Sequence, residues 1–503
     1  MLERMRRVDG SAAASAAGVL RRSLPVAFAC LAWSCGSDAP PATPRAGQGS
    51  GAPAAPAGAS GAPSLAGGDI QTSEGGGEAP VGVRPGVLEG GGVQASGGGD
   101  DAGGVGVPVP DAGSVQCAAN PGSLTDGDAN IDAAAELQRI SGFGGMDGGF
   151  YPELTPAQVD TAFGNGPGQV GLSIMRIRVP EAQGRFGTSV AAAARAVQLG
   201  ALVMATPWTP PPGLKSNNNA VGGSLNVASY GAYADHLLAF RDFMQANGVP
   251  LYSISVQNEP DYQVTYESCD WTAAQLIDWI SAHGSKFGET KLMAPESFNF
   301  NRTLSDPILN DAEAEAQVDI VAGHIYGGGV ADYPLAREKG KEVWMTEHYT
   351  DSANPANDWP LALGVGADVH RSMAANWNAY VWWAIRRAYG LLTEDGVVSK
   401  RGYTIAQYSK FVRPGFVRVA ATQPANVAVT AYKGGEQLVV VAINQTDQPQ
   451  SINLDVYNNC ATGLSRFTTS ASKNLADDGP IALDGGRAAV TLEGQSITTF
   501  VSR

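Results

Sequence analysis

The chain has 503 residues, only 16% of them charged, and 48 acidic against 33 basic residues give a formal net charge of −15. This balance argues against nucleic acid as a partner, because a phosphate backbone is held by clustered Lys and Arg. The length allows two or three domains and a large apolar core.

The first 35 residues have the features of an export signal. Five arginines precede an apolar run at 24–33, which is too short to span a bilayer as a mature helix. The stretch from Leu31 to Cys35 is a loose match to a lipoprotein cleavage box. We expect residues 1–35 to be a signal peptide, with the mature protein either secreted after ordinary cleavage or held at the cell surface by a lipid on Cys35.

Residues 36–115 consist largely of Gly, Ala, Pro, Ser and Asp, with almost no aromatic residues and no periodicity. Such a segment cannot bury enough apolar surface to offset the entropy lost on ordering. It is predicted to be a disordered linker that acts as a tether.

Residues 141–412 alternate between strand and helix patterns, which predicts an α/β domain with parallel strands and crossover helices. At this length the arrangement indicates a closed (β/α)8 barrel, the TIM-barrel fold. We predict strands within 171–179, 201–208, 251–256, 291–294, 320–324, 343–346 and 379–383, and helices at 189–199, 230–247, 273–287 and 361–376.

After Pro414 the pattern changes to short strands separated by turns, which is typical of an antiparallel β-sandwich. We assign residues 413–503 to this side domain. The predicted strands are 427–432, 437–444, 450–454, 488–492 and 496–501.

Two barrel strands end in a glutamate. The buried pattern of LYSISV at 251–256 stops at Glu259 and Pro260, and the strand at 343–346 runs directly into Glu347. The C-terminal tips of barrel strands are where (β/α)8 enzymes carry their chemistry. Either residue alone could merely close a turn, but two together suggest the carboxylate pair of a glycoside hydrolase.

From about residue 140 to 503 the chain resembles glycoside hydrolase family 30, and within it the bacterial glucuronoxylan-specific xylanases. The resemblance rests on blocks that occur in order: ISGFGGM, GLSIMRIRV, MATPWTPP, SVQNEPDY, APES, GHIYG, VWMTEHY, VWWAIRRAYG and VSKRGY with FVRPG. It implies an endo-acting xylanase that retains anomeric configuration, without a cofactor, on glucuronoxylan as the polysaccharide partner.

The resemblance implies that Glu259 is the acid/base and Glu347 the nucleophile, with their carboxyl groups about 5–5.5 Å apart. Asn258 matches the residue that bonds the sugar 2-hydroxyl. Arg176 matches the arginine beside the nucleophile, where it would keep Glu347 ionised and oriented.

Three further residues follow barrel strands in the matching blocks. Trp208 lies between a strand and a run of prolines, so it could form a subsite wall for a sugar ring or be ordinary core. His324 and Tyr326 also end a strand and are expected to reach the site, although a purely structural histidine remains an alternative.

Recognition of the methylglucuronate branch is implied for five residues: Tyr349, Ser352, Trp383, Arg387 and Tyr389. The Arg387 guanidinium can pair bidentately with the branch carboxylate, and the hydroxyl groups can hydrogen-bond to it. The alternative is that the arginine forms a surface ion pair.

Position 384 departs from the family pattern, because Ala384 stands where a tyrosine is common in WWxIRR. The loss of an aromatic contact should loosen the dependence on the branch. The charge-based recognition by Arg387 should persist.

The resemblance also places a strand at 130–137, within segment 116–140, in the side domain. Export permits a disulfide, and we favour Cys117 with Cys460, leaving Cys269 free. The sequence contains no Cys or His cluster with metal-ligand spacing, so no metal site is predicted.

Three functions from different classes remain open at this point. The first is a monomeric endo-glucuronoxylanase, and the second is the same fold acting on undecorated xylan or another β-glycan. The third is a tethered glycan-binding protein without activity, which would not need both glutamates.

Overall fold

The computed structural model describes residues 128–147, 150–349 and 355–503. The predicted signal peptide, the predicted linker, Cys35 and Cys117 lie outside these ranges. Within them, no helix combines the length and the apolar character needed to cross a bilayer.

Eight parallel strands close into a barrel, which confirms the predicted fold class. The strand β1 (Ala129–Arg139) precedes the barrel and belongs to the side domain. The barrel strands are β2 (Gly142–Met146), β3 (Ile174–Val179), β4 (Leu202–Pro207), β5 (Leu251–Ser255), β6 (Lys291–Ser297), β7 (Ile320–His324), β8 (Glu342–Glu347) and β9 (Ala379–Trp382). Buried side chains such as Met204 and Trp344 fill its interior.

Four of the nine helices in the described residues match the predicted segments, five were not predicted, and all nine surround the barrel. They are α1 (Pro156–Phe163), α2 (Val190–Gln198), α3 (Tyr230–Ala246), α4 (Ala273–His283), α5 (Arg302–Asn310), α6 (Ala312–Glu315), α7 (Pro334–Glu338), α8 (Trp359–Ala374) and α9 (Lys400–Ser409). Thr155 and Thr272 begin α1 and α4 with capping boxes, in which a glutamine three residues later bonds back to the cap. The helix predicted at 273–287 ends at His283 and continues as a short 3₁₀ turn.

The side domain contains three strands that the sequence pattern missed, β10, β14 and β15. Its C-terminal strands are β10 (Val417–Ala421), β11 (Val427–Gly434), β12 (Gln437–Asn444), β13 (Gln450–Tyr457), β14 (Gly463–Thr469), β15 (Ala476–Ala482), β16 (Arg487–Leu492) and β17 (Ser496–Ser502). Together with β1 they form one sheet of nine strands in the order β15-β14-β17-β12-β11-β10-β1-β13-β16.

The strand that precedes the barrel lies inside this sheet, as the resemblance implies. β1 pairs antiparallel with β10 and parallel with β13, so one parallel pair interrupts an otherwise antiparallel sheet. The terminal strand β16 packs on β17 without pairing to it, and one apolar cluster includes Leu464 of β14 and Val490 of β16. The sheet therefore curls over a common core.

Helices α8 and α9 form the side of the barrel that the sheet covers. Gly366 of α8 permits close approach, because a Cβ there would lie 3.0 Å from Thr404 and 3.3 Å from Ile497. The Gln407 side chain of α9 donates to the Thr469 hydroxyl at 2.8 Å, and the Gln407 backbone carbonyl accepts from the Thr499 hydroxyl at 2.7 Å. These contacts fix the sheet against the outside of the barrel.

The two described cysteines differ in state. Cys269 is buried and free, and burial raises the pKa of its thiol to about 12. Cys460 is disulfide-bonded. Because the predicted partner Cys117 lies outside the described ranges, the pairing stays a prediction.

Candidate active site

The two predicted catalytic glutamates meet at the C-terminal mouth of the barrel. Glu347 is the last residue of β8, and Glu259 lies in the turn that follows β5. Oxygen atoms of the two carboxyl groups lie within 4.8 Å of each other. Both residues are buried, so the pair is largely removed from bulk water.

Both carboxyl oxygens of Glu259 have a partner. His324 Nδ1 lies 2.9 Å from Oε1, and the Tyr266 hydroxyl donates to Oε2 at 2.8 Å. Burial alone would lower the pKa of His324, but the surrounding carboxylates, foremost that of Glu347, raise it to about 9. His324 is therefore a charged donor to Glu259 at neutral pH.

Glu347 is held in the same way by two donors. Arg176 Nη1 pairs with Oε2, and the Tyr326 hydroxyl donates to Oε1 at 3.0 Å. Burial raises the pKa of Glu347 above its usual range. The positive charges of His324 and Arg176 oppose this effect, and the neighbouring carboxyl group of Glu259 adds to it. The pair thus takes up a proton at a higher pH than an isolated glutamate would.

Arg176 connects the nucleophile to a third carboxylate. Its Nη2 donates to Asn258 Oδ1 at 2.8 Å and to Glu296 Oε1 at 2.9 Å, and it is fully buried. Burial would raise the pKa of Glu296, but the charges of Arg176 and His324 outweigh it, and the pKa lies below its usual value. Glu296 therefore places a negative charge next to Arg176 and His324, the residues that contact the two catalytic candidates.

The backbone at two of these carboxylates is strained. Glu259 has φ 45° and Glu296 has φ 57°, in the left-handed region that side chains other than glycine rarely adopt. The Glu259 amide donates to the Glu296 carbonyl at 2.9 Å, which joins the loop after β5 to the end of β6. Strain of this kind costs about 1–3 kcal/mol per residue and is found where surrounding structure enforces a functional position.

Glu259, His324 and Glu347 are the described residues whose ligand atoms lie close enough together to hold a metal ion. A protonated imidazole has two N–H donors and no free lone pair for a metal. The pKa of His324, raised to about 9 by the surrounding carboxylates, favours that protonated form at neutral pH in the metal-free site.

Aromatic residues form one wall beside the carboxylates. Trp208 is buried, lies 5.0 Å from Phe150 and 5.8 Å from Trp383 between ring centroids, and has the Arg176 guanidinium over its ring at 4.6 Å. Ala384 packs into the same cluster. A role for Trp208 as a subsite wall stays a prediction.

Of the residues predicted to recognise the branch, Trp383 belongs to the aromatic wall, and Tyr349, Arg387 and Tyr389 lie on a neighbouring part of the mouth. The Arg387 guanidinium stacks 3.8 Å over the ring of Tyr151, and its nearest carboxylate is Glu394 at 3.8 Å. The rings of Tyr349 and Tyr389 lie 5.2 Å apart. Ser352, also assigned to this group, lies outside the described residues.

Comparison with known proteins identifies the family to which the barrel belongs. Glucuronoxylanase XynC of Bacillus subtilis strain 168 is 44% identical over 392 residues, which cover 75% of this chain and 92% of the relative. The crystal structure of a glycoside hydrolase family 30 subfamily 8 xylanase from Clostridium acetobutylicum matches with a TM-score of 0.70 at 39% identity, covering 75% of this chain and 100% of that one. The chain belongs to glycoside hydrolase family 30.

A second family 30 structure, an endoxylanase from Clostridium papyrosolvens C71, matches with a TM-score of 0.69 at 35% identity over 75% of this chain and 100% of that one. No family model matches the chain. The family predicted from the sequence blocks is confirmed by these relatives.

Sequence reasoning missed four residues of this family 30 site. Glu296 is the third residue of the APES block, one position before the end of β6, so a third carboxylate near a strand end was a signal that could have been used. Tyr266, Phe150 and Tyr151 come from loops, where no periodicity marks a residue that turns inward. Their contribution is visible only once the loops are folded.

Proposed function

We propose that the chain is a retaining endo-β-1,4-xylanase that hydrolyses the backbone of methylglucuronate-decorated xylan, with Glu259 as acid/base and Glu347 as nucleophile. The observation that carries this proposal is the approach of the two carboxyl groups within 4.8 Å at the mouth of a family 30 barrel. A retaining mechanism uses about 5–5.5 Å, whereas an inverting one leaves about 6.5–9.5 Å for a water molecule.

In the first step an oxygen of Glu347 attacks the anomeric carbon while Glu259 gives its proton to the glycosidic oxygen. The bond to the leaving sugar breaks, and a covalent glycosyl–enzyme bond forms on Glu347. Arg176 contacts Glu347 directly and favours its ionised form, which is the form that attacks. Tyr326 holds the other oxygen of the nucleophile.

In the second step a water molecule replaces the leaving sugar. Glu259, now ionised, removes a proton from that water as the oxygen attacks the anomeric carbon and releases Glu347. His324 lies against one oxygen of Glu259 and Tyr266 donates to the other, which fixes the orientation of the carboxyl group toward the water. Asn258 accepts from Arg176 through Oδ1, which leaves its amide N–H groups to donate to the sugar 2-hydroxyl.

Arg387 is the residue that we propose recognises the branch. Its only described ion pair is a loose one with Glu394, and its Nε has no hydrogen-bond partner among the described residues. The planar guanidinium, supported from behind by Tyr151, can present two N–H groups to a carboxylate. Tyr349 and Tyr389 add hydroxyl groups nearby.

The second candidate function is the same reaction on undecorated xylan, and it is favoured by Ala384. This residue supplies no aromatic contact to a branch, although Tyr151 already covers one face of Arg387. Analysis of hydrolysis products by mass spectrometry separates the two functions. An enzyme that recognises the branch cuts at a fixed distance from it, so every product carries the branch at the same position. An enzyme with relaxed specificity gives products in which the position of the branch varies.

The catalytic assignment is tested by Glu259→Gln and Glu347→Gln. Each variant should fold normally and lose most turnover, because each removes one half of the acid and nucleophile pair. Proton NMR of the first product should show the β-anomer. Near wild-type activity of either variant, or an initial α-product, would refute the assignment.

We also propose that the protein is monomeric and exported, and that it is either secreted after ordinary cleavage or retained at the cell surface through a lipid on Cys35. The support is the basic and apolar start of the sequence, with its loose cleavage box. Mass analysis of the membrane fraction and light scattering of the soluble protein test the anchor and the monomer separately.

A further inference from the structure

A row of aromatic rings crosses the mouth of the barrel. Ring centroids are separated by 3.8 Å between Tyr262 and Phe298 and by 5.2 Å between Phe298 and Tyr326. The row continues at 5.5 Å to Tyr349 and at 5.2 Å to Tyr389. These residues follow β5, β6, β7, β8 and β9 in turn, so each successive strand contributes one ring.

The two ends of the row lie on opposite sides of the barrel. In a closed barrel of eight strands, β5 and β6 lie across from β9 and β2. Tyr389 lies at the end that carries Arg387, and Tyr326 in the middle contacts Glu347. Tyr262 lies at the other end, three positions after Glu259 in the sequence. A sugar chain with its branched unit near Arg387 would therefore cross the carboxylates and continue toward Tyr262.

We propose that Tyr262 and Phe298 form a platform that binds the leaving-group side of the xylan chain, the units beyond the cleaved bond. This inference rests on the proposed function, which makes Glu259 the acid that protonates the leaving oxygen. Tyr262 is 37% exposed, one of the few large apolar side chains in the described ranges that reach solvent to this extent. An exposed aromatic face suits the apolar face of a sugar ring.

The platform is fixed relative to the acid/base. The rings of Tyr262 and Phe298 stack with an interplanar angle of 12°. The Asp261 carboxylate accepts from the Phe298 amide at 3.0 Å, and the Tyr262 amide donates to the Glu259 carbonyl at 3.2 Å. These bonds tie the loops after β5 and β6 together, so a sugar bound on the rings would meet Glu259 in a defined position.

If the platform binds these units, kcat/KM should increase with the number of xylose units beyond the cleaved bond. Each sugar unit held there contributes binding that a substrate with a small leaving group cannot use. An aromatic contact of this kind changes kcat/KM by about two- to tenfold.

The test uses two kinds of substrate with the same branched non-reducing part. One is a series of oligosaccharides that carry one, two or three xylose units beyond the cleaved bond. The other is a β-glycosyl fluoride, which has no sugar there. For Tyr262→Ala, the ratio of kcat/KM for the longest oligosaccharide to that for the fluoride should fall about two- to tenfold relative to wild type. Tyr262→Phe keeps the ring and should keep the ratio.

Two variants serve as comparison. Phe243 on the outer face of α3 is similarly exposed, at 36%, so Phe243→Ala should leave the ratio unchanged. Phe298→Leu is a second probe of the platform and should lower the ratio. It tests the platform even where Tyr262→Ala folds poorly.

The outcomes separate the platform from the proposed function. An unchanged ratio in both Tyr262→Ala and Phe298→Leu would overturn the platform while leaving the hydrolase assignment intact. An equal loss on the fluoride and the oligosaccharides would also overturn it, because Tyr262 would then support Glu259 only. Absence of xylan hydrolysis by the wild type would overturn the proposed function itself.

Discussion

Replacement of Arg387 by alanine should separate recognition of the branch from hydrolysis of the backbone. The guanidinium stacks on Tyr151 and has one loose counter-ion, so its N–H groups are left to a substrate carboxylate. The catalytic carboxylates have their own donors, and none of these is Arg387. Arg387→Ala should therefore raise KM on glucuronoxylan and change kcat little.

The magnitude follows from the exposure of the arginine. A hydrogen bond to a charged group contributes about 1.5–3 kcal/mol when it is well shielded. The Arg387 side chain is 32% exposed, so solvent screening places the contact in the lower part of that range, about 1.5–2 kcal/mol. At about 1.4 kcal/mol per factor of ten, kcat/KM on the branched polymer should fall roughly ten- to thirtyfold.

The assay compares initial rates on glucuronoxylan and on linear xylan with the same enzyme preparation. The rate on linear xylan should barely change. Glu394→Gln is the matched control, since it removes the carboxylate 3.8 Å from Arg387 and should keep or modestly increase activity on the branched polymer. Equal losses on both polymers for Arg387→Ala would show that the residue supports the barrel and does not bind the branch.

Three further predictions concern single residues. Tyr266→Phe removes a donor to the buried Glu259 carboxyl group and should lower kcat about tenfold, whereas an unchanged kcat would mean that Tyr266 only packs. Because the pKa of His324 is raised from 6.5 to about 9, the stability it contributes is complete below pH 6.5 and is lost as the pH rises toward 9. Urea unfolding should show this loss, on the order of 3 kcal/mol, in the wild type and not in His324→Gln. Peptide mass analysis without reduction should find Cys460 joined to Cys117, and another partner would contradict the pairing.

The position of the catalytic candidates could be predicted because it depends on local pattern. A buried strand that stops at a polar residue puts that residue at the barrel mouth, and this applies to Glu259 and to Glu347 alike. Arg176, which lies within β3, was implied by the family resemblance. The contacts among these residues depend on the closure of the barrel, which the regular alternation of strands and helices also indicated.

The electrostatics of the site could not be predicted to the same depth. The resemblance implied that Arg176 would keep Glu347 ionised, yet burial and a second carboxyl group raise the pKa of Glu347 despite that contact. Glu296 shares Arg176 with the nucleophile, and nothing in the spacing of the two residues in sequence reveals this. Burial and charge sharing are properties of the folded site.

Some strands of the side domain were predicted and others were missed, for a similar reason. Those with a clear run of apolar residues, such as β12, were found. The strand β15 has the sequence ADDGPIA, whose Asp, Gly and Pro are depleted in strands, and it is formed through its pairing with β14. Long-range pairing overrides local preference there.

The location of β1 inside the C-terminal sheet sets the order of events during synthesis. Asn130 hydrogen-bonds to Thr422, 292 positions later, so β1 remains without its neighbours until the barrel has been made. At about 5–20 residues per second this delay is roughly 15–60 s. The sheet can then close only by bringing together segments from both sides of the barrel, a loop closure of high entropic cost. Refolding of the whole protein should therefore be limited by this step, with the barrel compact before the sheet is complete.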